Sequence, residues 1–162
     1  MNTLQTARLC AAGAILLSLV VDFAIKRLFL AKMVEWNFRT VIPGLLETHY
    51  AWNRGVSFSL FWQNSNLGSA LLSVLLMVVI IGFAIAAFRT PKALVAAGLG
   101  LIVGGALGNI IDRATHGAVF DFLVVRAGAL PLFVCNSADI FISLGVICLA
   151  AEILFLDDGH SS

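Results

Sequence analysis

The sequence predicts an all-α membrane protein of four transmembrane helices, with a small β-sheet formed by two long loops gathered on one side of the bilayer. Three observations predict it. Mean hydropathy is +1.01 and only 12% of the 162 residues are charged, far from the composition of soluble globular domains. Four apolar windows, at about 8–30, 67–88, 93–111 and 138–156, reach the roughly 20 residues that a membrane helix needs. The polar residues collect in two connecting stretches, about 31–66 and 112–137. The whole chain, 1–162, reads as a single integral membrane domain.

The first window follows Arg8 and ends in Lys26-Arg27 with no small-residue cleavage site behind it, so it is expected to stay as a span. Asp22 and Lys26 stand at i and i+4, a spacing at which helical side chains meet. Such a pair either makes two charges tolerable near the end of a span or touches reacting groups directly. Arg89-Thr90-Pro91-Lys92 joins the second and third windows tightly, with the proline as a stop, which makes those helices antiparallel neighbours. In the third window Gly100, Gly104 and Gly108 recur every four residues, a stripe that lets another helix backbone approach closely.

If the third helix runs past Ile111, Asn109, Asp112 and Arg113 share one face at its end. That face is either an interfacial cap and ion pair or a platform that orients a peptide backbone. The fourth window opens with Asn136-Ser137-Ala138-Asp139, a helix start with Asn136 or Ser137 as N-cap and Asp139 in the first turn, where the helix dipole favours negative charge.

In the first loop, Val41-Ile42-Pro43-Gly44 reads as a turn and Glu47 to Asn53 as a strand. Asn53-Arg54-Gly55 then turns into Val56 to Phe61, whose alternation suits a half-exposed strand or interfacial segment. With Trp52, Phe58, Phe61 and Trp62, this loop is expected to clamp a substrate. The second loop reads as a hairpin from Ala118 to Arg126 and Pro131 to Cys135. Placing Arg126 opposite Pro131 sets Asp121 across from Asn136 and close to Asp139.

Phe120 and Phe122 flank Asp121, and burial disfavours a charged carboxyl, so Asp121 is expected to hold a proton readily. One aspartate favoured as anion beside one favoured as acid meets the requirement of aspartic proteolysis. Spacing alone also permits Asp112 with Asp139, but Asp112 adjoins Arg113, which suits it to an ion pair instead. Ser57, Ser59 and Ser137 have no histidine at convincing spacing, and neither has Cys135. Cys10, Cys135 and Cys148 read as packing residues, and His49, His116 and His160 lack zinc-ligand spacing, so no metal or other cofactor is expected. A net charge of +1 without a basic run gives no footprint for nucleic acid.

Five motifs occur together in order: Asp22-x-x-x-Lys26, Asn53-x-Gly55-x-x-Phe58, Gly108-Asn109-x-x-Asp112-Arg113, Gly117-x-Val119-x-Asp121-Phe122 and Asn136-x-Ala138-Asp139. From residue 22 to about 145, Val41-Ile42-Pro43-Gly44 included, the chain resembles the bacterial lipoprotein signal peptidases, the signal peptidase II family. The resemblance implies a membrane aspartic endopeptidase that removes the signal peptide from prolipoproteins before a diacylglyceryl-modified cysteine. It implies Asp121 and Asp139 as the catalytic pair, with supporting or substrate-binding roles for Asp22, Lys26, Asn53, Gly55, Asn109, Asp112, Arg113 and Asn136. It also implies a bacterial cytoplasmic (inner) membrane location with cytoplasmic termini, an extracytoplasmic sheet and an outward-facing active site. The basic residues alone argue the reverse, with Arg8, Arg89 and Lys92 on the face of the termini and Lys26, Arg27, Lys32, Arg39, Arg54, Arg113 and Arg126 on the other. Expected partners are diacylglyceryl-modified prolipoproteins and membrane lipid, around a monomeric enzyme. Ser57 and Cys135 depart from residues common in the family at those positions. The alternative is a small proton-coupled membrane transporter, since intramembrane carboxylates and Asp–Lys pairs also build proton relays.

Overall fold

A computed structural model describes residues 2–54 and 66–156, without the side chains of 66–72 and 156. Gly55 and the alternating segment 56–61 lie outside the described residues. Helix α1 runs over Thr3–Ala31, a short α2 over Met33–Trp36, and strands β1 and β2 over Arg39–Ile42 and Leu46–Asn53. Helices α3 (Asn66–Arg89) and α4 (Ala93–His116) follow, then strands β3 (Val119–Ala127) and β4 (Leu130–Cys135). Helix α5 (Ser137–Ala151) continues into a π-helical turn over Glu152–Leu156.

Among the described residues, three helical segments, Thr3–Ala31, Ala93–His116 and Ser137–Phe155, are long and apolar enough to cross a membrane. The described part of α3 adds the apolar stretch Ser73–Arg89. Half of the most apolar window of α4 is buried, against 22% for α1 and 11% for α5, so α4 is the central helix. It packs against α1, α3 and α5. The reason is in the glycine stripe. A Cβ at Gly100 would come within 2.7 Å of the Ala11 carbonyl, one at Gly104 would overlap Ser18 Oγ, and one at Gly108 would overlap the Asp22 carboxylate. The buried residues of α1, Ala7, Ala11, Ser18, Asp22 and Lys26, form the facing stripe. The sequence-derived packing role of these glycines is therefore what the geometry shows, and at Gly108 the neighbour is a charged group.

The strands form one antiparallel sheet in the order β1-β2-β3-β4. Segment β1 and helix α2 were not expected from the sequence. Both are short and depend on one side chain: Thr48 Oγ1 donates to the Trp36 carbonyl and accepts from the Arg39 amide. An aromatic cluster seats the sheet on the end of α1, with Phe29 stacked on Phe122 at 4.2 Å between centroids and edge-on to Trp36 and Tyr50. Tyr50 and Trp52 continue the cluster onto Phe120.

The hairpin keeps the expected pairing of Arg126 with Pro131 and closes over Gly128 and Ala129, Gly128 taking the positive φ (+61°) that a two-residue hairpin loop requires. A bulge between Val125 and Arg126 then shifts the register by one, so that Leu123 faces Cys135. Asp121 is consequently not level with Asn136 as expected; an extra residue in one strand is local backbone geometry that pattern alone does not reveal.

Candidate active site

Side chains alternate across a strand, and in β3 this divides the work of three consecutive residues. Phe120 and Phe122 share one face, 5.6 Å apart, and turn toward the aromatic cluster. Asp121 points the other way. It is 3% exposed because β3 is paired on both edges and covered on both faces. Asn53 lies two residues along β2 from Ala51, the partner of Asp121, hence on the same face, and its Nδ2 donates to Asp121 Oδ2 at 3.0 Å. Asn136 Nδ2 donates to Asp121 Oδ1 at 2.6 Å, so the register shift leaves this contact intact.

Asn136 is also the N-cap of α5. Its Oδ1 accepts from the amides of Ala138 and Asp139, while its own backbone N–H donates to Asp139 Oδ2 at 3.2 Å. This capping box holds Asp139 at the helix start, as the sequence suggested, and ties both aspartates to one residue. Asp139 Oδ1 accepts from Asn109 Nδ2 at 3.1 Å. Among the described residues neither Asp121 nor Asp139 has a salt bridge.

The other two carboxylates are bound differently. Lys26 Nζ lies 2.9 Å from Asp22 Oδ2, 2.9 Å from Asp112 Oδ2 and 3.0 Å from Asn109 Oδ1. Asp22 Oδ1 accepts from Ser137 Oγ at 2.6 Å, which docks the start of α5 on α1. Helix α4 does run past Ile111, and Asn109 joins Lys26 to Asp139. The cation of Asp112 is Lys26 and not adjacent Arg113 as expected, because successive residues on a helix do not face each other. Buried Arg113 donates to the Asn109 carbonyl and lies within electrostatic reach of Asp121, Asp139 and Asp112. The result is a continuous polar chain from Asp22 and Asp112 through Lys26, Asn109, Asp139, Asn136 and Asp121 to Asn53. The expected site residues come together except Gly55, which lies outside the described residues. Ser137 was not among them; its position directly after the N-cap was the available signal.

Burial pushes the Asp121 carboxyl up to about 6, with the Asp139 charge adding to the rise and the Asn136 and Asn53 amides opposing it. Burial, then the charges of Asp139 and Asp121, pushes the neighbouring Cys135 thiol up to about 12, which leaves almost no thiolate at neutral pH. A cavity of about 180 Å³ opens between α3, α4 and α5, walled by Leu76, Val79 and Ile142 and ended by Asn109, Arg113 and Asp139. An apolar segment lying there would meet the carboxylates at its polar end.

The family model described as signal peptidase (SPase) II matches residues 14–155. The lipoprotein signal peptidase of Methylorubrum extorquens (strain PA1) is 48% identical over 103 residues, 64% of this chain and 60% of that one. That of Methylobacterium radiotolerans is 47% identical over 106 residues, 65% and 62% of the two chains. These matches span less than two thirds of those relatives, whereas the lipoprotein signal peptidase of Beijerinckia indica subsp. indica is 38% identical over 91% of this chain and 89% of its own. A bacterial membrane enzyme solved by the in meso method at 2.3 Å superposes with a TM-score of 0.70 at 20% identity over 94% of both chains. A second, at 1.9 Å, gives 0.68 at 22% identity over 96% and 95%. Both share the fold.

The raised Asp121 carboxyl has a consequence for stability. Its ordinary value is 3.8, so the proton is held more tightly in the fold than in the unfolded chain. That contribution is fully present below about 4 and lost as pH rises through about 6, a change of about 3 kcal/mol. Thermal unfolding in detergent between pH 4 and pH 7 should show the native protein losing stability relative to Asp121→Asn. Parallel curves would contradict the assignment.

Proposed function

Because the chain belongs to the signal peptidase II family, we propose that it is a membrane aspartic endopeptidase of the bacterial cytoplasmic membrane. Its substrates are prolipoproteins, and it cuts the signal peptide off just before the diacylglyceryl-modified cysteine. The family match sets aside the proton-coupled transporter. One observation carries the catalytic assignment: Asn136 binds both Asp121, through its side chain, and Asp139, through its backbone. Asp112 and Asp22 are each ion-paired with Lys26. Asp121 and Asp139 are held by amides.

In this reading Asp139, at the start of α5 where the dipole favours negative charge, takes a proton from the attacking water. Asp121, kept as the acid, donates toward the scissile carbonyl and polarises it. The two share one proton because neighbouring like charges cannot both form cheaply. At pH 7 a carboxyl at about 6 is about one tenth protonated in the free enzyme. A bound acyl-bearing substrate excludes water and raises that fraction. Asn109 fixes one oxygen of Asp139, and Lys26 fixes Asn109. Arg113, Asn53 and Gly55 complete the supporting set. The apolar cavity beside Asp139 accepts the apolar part of the signal peptide.

In this reading the protein is one domain, 1–162, working as a monomer. It has four spans, both termini and the Arg89–Lys92 link in the cytoplasm, and the sheet and the two aspartates on the outer face. Desolvation explains this placement, since carboxylates at the end of the spans reach both water and acyl chains.

Purified protein in detergent, given a diacylated prolipoprotein, should release the signal peptide as a mass shift on a gel. Asp121→Asn and Asp139→Asn should each keep substrate binding and lose at least ~10⁴-fold in kcat, about 5.5 kcal/mol of transition-state stabilisation. The double variant should be hardly worse, because the pair acts as a unit, while Asp112→Asn should lower stability or substrate binding and keep measurable turnover. Substantial turnover by Asp121→Asn at matched folding would refute the pair.

Topology is tested separately. Single cysteines replacing Lys92 and Arg126, in a background without native cysteines, should react with an impermeant thiol reagent from opposite sides of the membrane. Labelling from the same side would refute the four spans.

A further inference from the structure

A second cavity, of about 380 Å³, lies between α1 and α4 near the sheet. It is separate from the one beside Asp139. On α4 the catalytic-side cavity is lined by Ala106, Asn109 and Arg113, and this one by Gly108, Ile111 and Asp112, residues that point to different sides of the helix. Its volume is in the range of pockets that hold small molecules, roughly 300–1,000 Å³. The walls toward the bilayer are apolar, including Val20 and Phe23 of α1, both exposed and so facing hydrocarbon.

Two charged groups sit at this groove with bonding capacity left. Arg27 lies over the Phe23 ring at 5.1 Å and has no carboxylate partner among the described residues. Asp112 uses Oδ2 for both Lys26 and the Phe120 amide, and its Oδ1 accepts no hydrogen bond among the described residues. Thr115 and His116 complete the rim and are bonded to each other at 2.8 Å. An apolar trough that offers one guanidinium and one open carboxylate oxygen is complementary to a chain that ends in a phosphate and an ammonium.

We infer that this groove is a binding site for a glycerophospholipid with a primary-amine headgroup, a phosphatidylethanolamine. One acyl chain lies in the trough, the phosphate bonds Arg27, and the ammonium bonds Asp112 Oδ1. Arginine suits the phosphate because its planar donors match two oxygens. A trimethylated headgroup carries no N–H for the carboxylate, and a glycerol headgroup carries no charge for it. The inference does not rest on the proposed peptidase activity. The site nevertheless adjoins it, because Asp112 is one of the two carboxylates that hold Lys26, and Lys26 holds Asn109 against Asp139.

Native mass spectrometry of the delipidated full chain, offered phosphatidylethanolamine, phosphatidylcholine and phosphatidylglycerol of identical acyl chains, tests this directly. The native protein should retain the ethanolamine lipid about tenfold better than the choline lipid, the worth of one charge-assisted hydrogen bond. Arg27→Gln, an exposed position outside the polar chain, should fold with an unchanged melting temperature and lose the retention of all three to a common low level. Arg126→Gln, which removes an equal charge from the sheet, should change nothing. Equal retention of the three lipids would mean general lipid contact only and would overturn the site, as would full retention by Arg27→Gln. Preference for the glycerol lipid would overturn the role of Asp112.

Discussion

The Lys26 ammonium lies within 3.0 Å of three groups: it is ion-paired with Asp22 and Asp112 and donates a hydrogen bond to Asn109 Oδ1. Isolated charge is expensive where water is scarce, and it becomes tolerable only when paired and hydrogen-bonded. This single contact set therefore fixes which helices can meet. Gly108 has to be bare so that the Asp22 carboxylate can lie against α4, and Ser137 closes the same cluster from α5. Lys26 ties α1 to α4, and α5 joins the same cluster through Ser137 on Asp22 and Asp139 on Asn109.

The same arrangement divides four carboxylates into two kinds. Asp22 and Asp112 are ion-paired with Lys26. Asp121 and Asp139 receive amides from Asn53, Asn136 and Asn109. Amides orient a carboxylate without fixing its charge as firmly, so this is the pair between which a proton has reason to move. The aromatic cluster on the opposite face of β3 contributes by excluding water, and the raised Asp121 carboxyl is the outcome. Structure and proposed chemistry are connected through that exclusion.

Much of this was legible in the sequence where the rule is local. Asp22 and Lys26 meet because four residues make one helical turn. Asn136 caps α5 because its side chain reaches the next amides. Phe120 and Phe122 had to share the face opposite Asp121. What was not legible depends on elements distant in sequence. The reach of Lys26 to Asp112 and Asn109 follows from how closely α1 and α4 pack, and the bulge beside Arg126 shifts the hairpin by one residue without any sign in its alternation. Strand β1 was not legible because its four exposed residues, Arg39–Ile42, show no alternation and run straight into the Pro43-Gly44 turn; its pairing depends on Thr48 from the next strand.

The central claim is that Asp121, and not the lysine-bound Asp112, carries the exchangeable proton. Infrared difference spectroscopy of the full chain in detergent, titrated through pH 6, reads protonated carboxyls directly. The account predicts a carboxyl band that is present below about pH 6, fades as pH rises, is absent in Asp121→Asn and persists in Asp112→Asn. A band that survives in Asp121→Asn and disappears in Asp112→Asn would contradict it.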